Sequence, residues 1–358
     1  MSSKVKILTI DGGGIRGIFP AVILDYIETE YQRKMRKKHK NRKSYHIGDI
    51  FDFVAGTSTG GILACLYLLP NSRRRPKFSS SEVLDFYMKE GDKIFSSSVF
   101  QKIWRLGGLS DEKYDADSLE EVLQKNFKDT KLSQLLKPCL IPAYDIEKRQ
   151  AVLFTSHNAK AKRKDFYVKD VARATSAAPT FFEPASITSL SDTTYHLIDG
   201  GLYANNPTLC AYSEVKKLDF AKLLKRDDKP TNPNAEDMII VSIGTGAIKE
   251  PYKYSSMKDA GSISWIKPII DILMSSNSET NAYHVRKIFK EIEQKNKYFD
   301  SDCYKQFFRI ETELFIANPS MDDASTKNLK ALRQEGLRYI DENKQQLDYI
   351  LDLLVEDV

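Results

Sequence analysis

Three short stretches hold residue types that do chemistry. The first is Gly56-Thr57-Ser58-Thr59-Gly60, a G-x-S-x-G pentapeptide with an apolar run on either side. A strand before it and a helix after it would make it a nucleophile elbow, with Ser58 lifted out on a sharp turn at a helix N-terminus. Gly56 and Gly60 keep side chains from crowding the serine. Without that context the pattern is common in loops. The second stretch is Asp11-Gly12-Gly13-Gly14-Ile15-Arg16-Gly17, at the end of an apolar run that starts at Lys4. Consecutive glycines free backbone N–H groups to point into a site, as an oxyanion hole requires. The same residues match G-x-G-x-x-G, the dinucleotide fingerprint. That reading calls for an acidic residue about 20 positions on, where the chain instead has a run of Lys and Arg. The third stretch is Asp199-Gly200-Gly201, which closes a short apolar strand.

An ester-cleaving serine needs a base. His39 and His46 precede Ser58, while His157, His196 and His284 follow it. His157 falls in a polar loop and His284 in a helix. His196 lies three residues from Asp199 on the same strand, so the two point to opposite faces. Asp199 is the better base, because burial at a strand end would raise its pKa into a useful range. An ordinary turn is the other reading of Asp199-Gly200.

The elements that must position these residues follow from hydrophobic patterning. Strands are expected at 4–10, 51–55, 138–145, 150–155, 195–198, 238–243 and 306–312. Helices are expected at 19–36, 61–66, 79–94, 117–127, 168–176 and 208–218, with two more within 325–355. Strands alternating with helices imply a mostly parallel sheet covered on both faces, with ligands beyond the carboxyl ends of the strands. All three glycine-rich stretches then sit on one rim. Residues 219–235 read as a mobile polar connection. Residues 264–274 (SWIKPIIDILM) read as a core helix, the alternative being a flap that touches substrate or membrane. Residues 95–115 read as a lid or as a packed surface loop.

The motifs together resemble those of the patatin-like phospholipases, in the family's order. Ala174–Pro179, Asn205-Asn206-Pro207 and Gly244-Thr245-Gly246 resemble further family stretches. The resemblance runs from about Val5 to Thr312. It implies an α/β fold of three α/β/α layers and calcium-independent release of fatty acids from membrane glycerophospholipids. It also implies a Ser58–Asp199 dyad, an oxyanion hole lined by Gly12, Gly13 and Gly14, and supporting roles for Arg16, Gly56, Gly60, Gly200 and Gly201. A catalytic domain over 1–318 is expected, with 70–115 and 250–280 as lid or substrate-facing segments and C-terminal helices over 319–358 packed on the same domain. Some bacterial relatives are phospholipases of antiviral defence activated by cyclic dinucleotides, so a nucleotide second-messenger activator is a further expectation.

The totals fit this picture. The 358 residues are 41% hydrophobic and 29% charged, as in a globular protein with a sizeable core. The net charge of +5 is too small to imply nucleic acid. Positive charge is concentrated at 33–43 and 73–75, which suggests docking on an anionic membrane. No apolar run is long enough to span a bilayer, and with the first strand following directly on Met1–Ser3 no signal peptide is expected. The expected location is cytoplasmic with peripheral membrane contact. A homodimer is possible, and no metal or cofactor is expected. The four cysteines are widely spaced, and three of them lie in apolar or strand-like contexts and read as buried small hydrophobes. An NADP-dependent oxidoreductase using Gly12, Gly14 and Gly17 is the remaining alternative; it leaves the other two motifs unused.

Overall fold

The computed structural model describes residues 3–40, 43–95, 117–247, 251–296 and 306–356. Its strands are β1 (Val5–Ile10), β2 (Phe53–Gly56), β3 (Cys139–Asp145), β4 (Gln150–Thr155), β5 (Ala185–Thr188), β6 (Thr194–Asp199), β7 (Met238–Ile243) and β8 (Phe307–Ile310). Its helices are α1 (Ile18–His39), α2 (Ile47–Ile50), α3 (Thr59–Leu68), α4 (Ser80–Phe95), α5 (Asp117–Phe127), α6 (Val168–Thr175), α7 (Gly201–Ala204), α8 (Thr208–Val215), α9 (Phe220–Leu224), α10 (Tyr254–Met257), α11 (Ser262–Asn296), α12 (Thr326–Glu342) and α13 (Lys344–Glu356). The sheet order is β5-β6-β3-β2-β1-β7-β8, with β4 on β3. The run β3-β2-β1-β7-β8 is parallel. This is the mostly parallel, helix-flanked architecture expected.

Alternation along β1 divides the core in two. Leu8 and Ile10 face α1, α3, α4, α12 and α13, while Val5 and Ile7 face α8, α9 and α11. A strand whose two faces both meet helices reads as a continuous apolar run, and β1 is buried throughout. The C-terminal pair α12 and α13 completes the first layer. Tyr339 meets Phe19 edge-on at 5.7 Å, and Lys6 Nζ donates to the Leu354 carbonyl at 2.6 Å.

Three antiparallel pairings, β3 with β4, β3 with β6 and β5 with β6, depart from the simple parallel picture. β4 occupies one edge of β3 from Leu140 to Asp145. The other edge is therefore shared. β2 pairs in parallel with Cys139 and Leu140, and β6 pairs antiparallel with Ala143 to Asp145. β2 and β6 thus approach end to end along β3, and their carboxyl ends meet. Asp199 reaches the rim from beyond it, not by running with the parallel strands.

Three further expectations need correction. Residues 219–235 include the ordered helix α9, whose Phe220 is fully buried. Lys229 from the same segment is buried in an ion pair with Asp52 at 2.6 Å. Breaking a buried pair leaves an uncompensated charge, so Lys229→Met should lower urea-unfolding stability by about 3–5 kcal/mol; an unchanged midpoint would contradict this. Residues 264–274 belong to a helix, but not a core one: Trp265, Ile269, Ile272 and Leu273 are exposed. The strand β5, unexpected from sequence, pairs with β6. Residues 96–115 of the expected lid lie outside the described residues, as do 41–42 of the basic run, 248–250, and Cys303.

Candidate active site

The elbow forms where β2 meets α3. Ser58 has φ 56° and ψ −124°, a left-handed conformation that costs a non-glycine residue about 1–3 kcal/mol and survives only where its surroundings enforce it. Glycine on both sides is a steric requirement. A methyl group on Gly56 would collide with the Gly60 carbonyl, and one on Gly60 with the Ile10 carbonyl. Hydrogen bonds complete the enforcement. The Ser58 N–H donates to Thr175 Oγ1 at 3.0 Å, and that hydroxyl donates to the Pro142 carbonyl at 2.6 Å. Thr57 Oγ1 donates to the Ala204 carbonyl at 2.7 Å, and Thr59 Oγ1 pairs with the Tyr87 hydroxyl at 2.7 Å. Both neighbouring hydroxyls are thereby occupied, and that of Ser58 is left facing Asp199.

Thr175 ties the elbow to β3 without meeting the reacting atoms. Thr175→Val keeps the shape and loses both bonds. We expect a stability loss of about 1–3 kcal/mol and a lower kcat with little change in KM. An unaltered kcat would show that the elbow holds without it.

Asp199 ends β6 and is buried. Its Oδ1 accepts the Gly201 N–H at 2.6 Å, and its Oδ2 is buried with no hydrogen-bond partner among the described residues. Burial pushes the carboxyl up to about 7, opposed by the nearby Ser58 hydroxyl and the Gly201 N–H. The Ser58 contact is close enough to act on the carboxylate but falls short of a formed hydrogen bond. Catalytic hydrogen bonds are often loose in the unliganded state. A group poised near neutral pH suits a general base. Gly200 packs against Pro142 so closely that a side chain would strike its carbonyl.

The glycine loop lies directly against the elbow: a methyl group on Gly12 would come within 3.2 Å of the Ser58 Cβ. The expected roles of its three glycines are not equal. The Gly12 N–H already donates to the Asn205 carbonyl at 3.1 Å. Of the three amides, those of Gly13 and Gly14 have no partner among the described residues, and Gly14 takes φ 59°. Gly12 therefore shapes the loop, and the available donors are Gly13 and Gly14. Arg16 is buried and bonded to backbone carbonyls. Its Nη1 donates to the Gly246 carbonyl at 2.9 Å and its Nε to that of Gly13 at 3.3 Å.

Residues distant in sequence hold this loop. Arg309 on β8 grips Asp11 with two bonds, 2.8 and 2.6 Å, and reaches Glu311 at 2.6 Å. Thr245 Oγ1 donates to the Gly12 carbonyl at 2.9 Å. Asn205 Nδ2 donates to Ser278 Oγ at 2.9 Å, and Ser278 donates to Asp11 Oδ2 at 3.2 Å. Asn205 Oδ1 is buried without a hydrogen-bond partner among the described residues, beside Gly12 and Gly201. Asn205 and Thr245 fall within motif stretches, but Arg309 carries no signal in its own surroundings.

The histidines are engaged elsewhere. His157 Nε2 meets Glu214 Oε1 at 3.1 Å, His46 Nδ1 meets Glu28 Oε1 at 3.1 Å, and His196 lies 3.7 Å from Glu147. His39 is exposed at the end of α1, and the His284 ring lies against Tyr283 on α11. The dinucleotide reading loses its footing too, since the strand after α1 ends in the serine elbow and not in an acidic residue.

Residues 8–212 match the family model described as patatin-like phospholipase. Among curated proteins, the chain is similar to Patatin-like protein 2 of Oryza sativa subsp. indica, at 34% identity over 96% of this chain and 85% of that protein. Patatin-like protein 1 of Arabidopsis thaliana is 34% identical, over 97% and 84% respectively. Patatin-T5 of Solanum tuberosum is 32% identical, over 94% and 83%.

Proposed function

The chain belongs to the patatin-like phospholipase family of lipid acyl hydrolases, and from that premise we propose that Ser58 and Asp199 are its catalytic dyad, releasing fatty acids from membrane glycerophospholipids. The observation that carries this reading is the meeting of β2 and β6. It leaves one buried, unpartnered carboxylate oxygen on Asp199 beside one strained serine. Asp199 takes the hydroxyl proton as Ser58 Oγ attacks the ester carbonyl carbon. The carbonyl oxygen becomes an oxyanion, for which the free N–H groups of Gly13 and Gly14 are the donors, each worth about 3–4 kcal/mol in known oxyanion holes. Collapse expels the lysolipid alkoxide, which takes the proton from Asp199 and leaves an acyl-Ser58. Asp199 then removes a proton from water, the resulting hydroxide attacks the acyl carbon, and fatty acid leaves as Ser58 regains its proton.

Incubation with phosphatidylcholine vesicles tests the reading. Free fatty acid and lysolipid should appear in equal amounts, with or without a calcium chelator, and not with Ser58→Ala. Products from Ser58→Ala at the wild-type rate would refute it.

A further inference from the structure

We propose that the exposed apolar face at the start of α11 is the surface by which this protein seats itself on a phospholipid bilayer, with the candidate active site at its edge. The proposal rests on the lipid acyl hydrolase reading and adds where the bilayer touches and by what force.

One stripe of α11, including Ile270, Met274, Ala282, Val285 and Phe289, is buried against the fold. The outward side changes character along the helix. Beyond Met274 it is that of an ordinary surface helix, with Ser275, Glu279, Arg286, Lys287 and Lys290 exposed. Before Met274 it carries Ile263, Trp265, Ile266, Ile269, Ile272 and Leu273, all exposed. Scattered surface hydrophobics need no explanation, but a contiguous set does. Trp265, Ile266, Ile269, Ile272 and Leu273 recur at helical spacing on one side, with a tryptophan suited to a membrane interface, and Ile263 is exposed where the helix begins.

The helix that carries the patch also borders the site. Met274 Cε would lie 3.4 Å from a methyl group on Gly201. One turn further on, Asn277 donates to the Tyr203 carbonyl and Ser278 bonds to Asn205 and Asp11. A bilayer resting on the patch would meet the rim that holds Ser58. Exposed charges flanking it are mixed, Lys253 and Lys258 with Asp259, so insertion of apolar side chains, not attraction to anionic headgroups, supplies the affinity.

The basic runs fail as the docking surface for this site. α1 starts at the glycine loop and has 22 residues, so its C-terminal end lies about 30 Å away along the helix, at the edge where the strands begin. Arg75 joins that edge, pairing with Asp49 at 3.0 Å just ahead of β2. A bilayer held there would face the opposite side of the sheet from Ser58.

The test uses the full chain carrying Trp104→Phe, which leaves Trp265 as its one tryptophan. Adding phosphatidylcholine vesicles should shift its emission to the blue, brominated lipid should quench it, and salt should change neither. The double variant Ile266→Asp/Ile269→Asp should lose vesicle binding by roughly 30-fold or more while cleaving a soluble short-chain ester at the wild-type rate. Absence of quenching, binding that requires anionic lipid and vanishes in salt, or undiminished binding by the double variant would overturn the proposal. So would a dimer that the double variant dissociates without loss of vesicle binding. Failure of the wild-type chain to cleave the short-chain ester would instead count against the hydrolase reading itself.

Discussion

Ser58→Ala should lose on the order of 10⁵–10⁶ in kcat for fatty acid release, by comparison with other serine hydrolases. The fold should survive the change. The elbow is held through the Ser58 backbone N–H, the two flanking threonines and the close packing of Gly56 and Gly60, none of which uses the serine hydroxyl. Circular dichroism and the thermal midpoint should match the wild type, so that lost activity means lost chemistry. A residual rate within tenfold of wild type would place the nucleophile elsewhere.

Asp199→Asn should cost about 10⁴ in kcat and, unusually for a buried site, raise stability. In the folded protein the Asp199 carboxyl keeps its proton up to about pH 7, whereas in the unfolded chain it releases it near pH 4. Between those values the folded state binds more protons, so its contribution to stability falls as pH rises through that window. The variant should therefore melt above wild type at pH 8 and close to it at pH 4. For wild type, kcat/KM should climb with pH and level off above about 7, standing at about a tenth of the plateau one pH unit below. A flat profile between pH 5 and 8, or a variant that melts lower at pH 8, would show that Asp199 is not a desolvated base.

The parts of the site that could be read from sequence are those whose geometry is local. The elbow needs only a strand, a tight glycine turn and a helix, all within residues 51–68. The case against His196 needs only the two-residue period of a strand, and the structure places His196 by Glu147. What could not be read depends on partners far along the chain. The antiparallel docking of β6 on the upper half of β3 is a choice of pairing that residues 194–199 do not state. The spent amide of Gly12 depends on Asn205, nearly two hundred residues away, and the grip on Asp11 depends on Arg309. Periodicity in 264–274 gave a helix with an apolar face, but not whether anything covers that face. Likewise Phe220 and Lys229 look like loop residues until α9 and Asp52 bury them.

The central claim is that Ser58 is the nucleophile and Asp199 its base, and covalent trapping tests it most directly. The protein would be treated with a fluorophosphonate and the modified peptide mapped by mass spectrometry, alongside Ser58→Ala and Asp199→Asn. One phosphonyl group on Ser58 is expected in wild type, none in Ser58→Ala, and labelling at least a hundredfold slower in Asp199→Asn. Undiminished label in Ser58→Ala, or label at full rate in Asp199→Asn, would contradict the dyad.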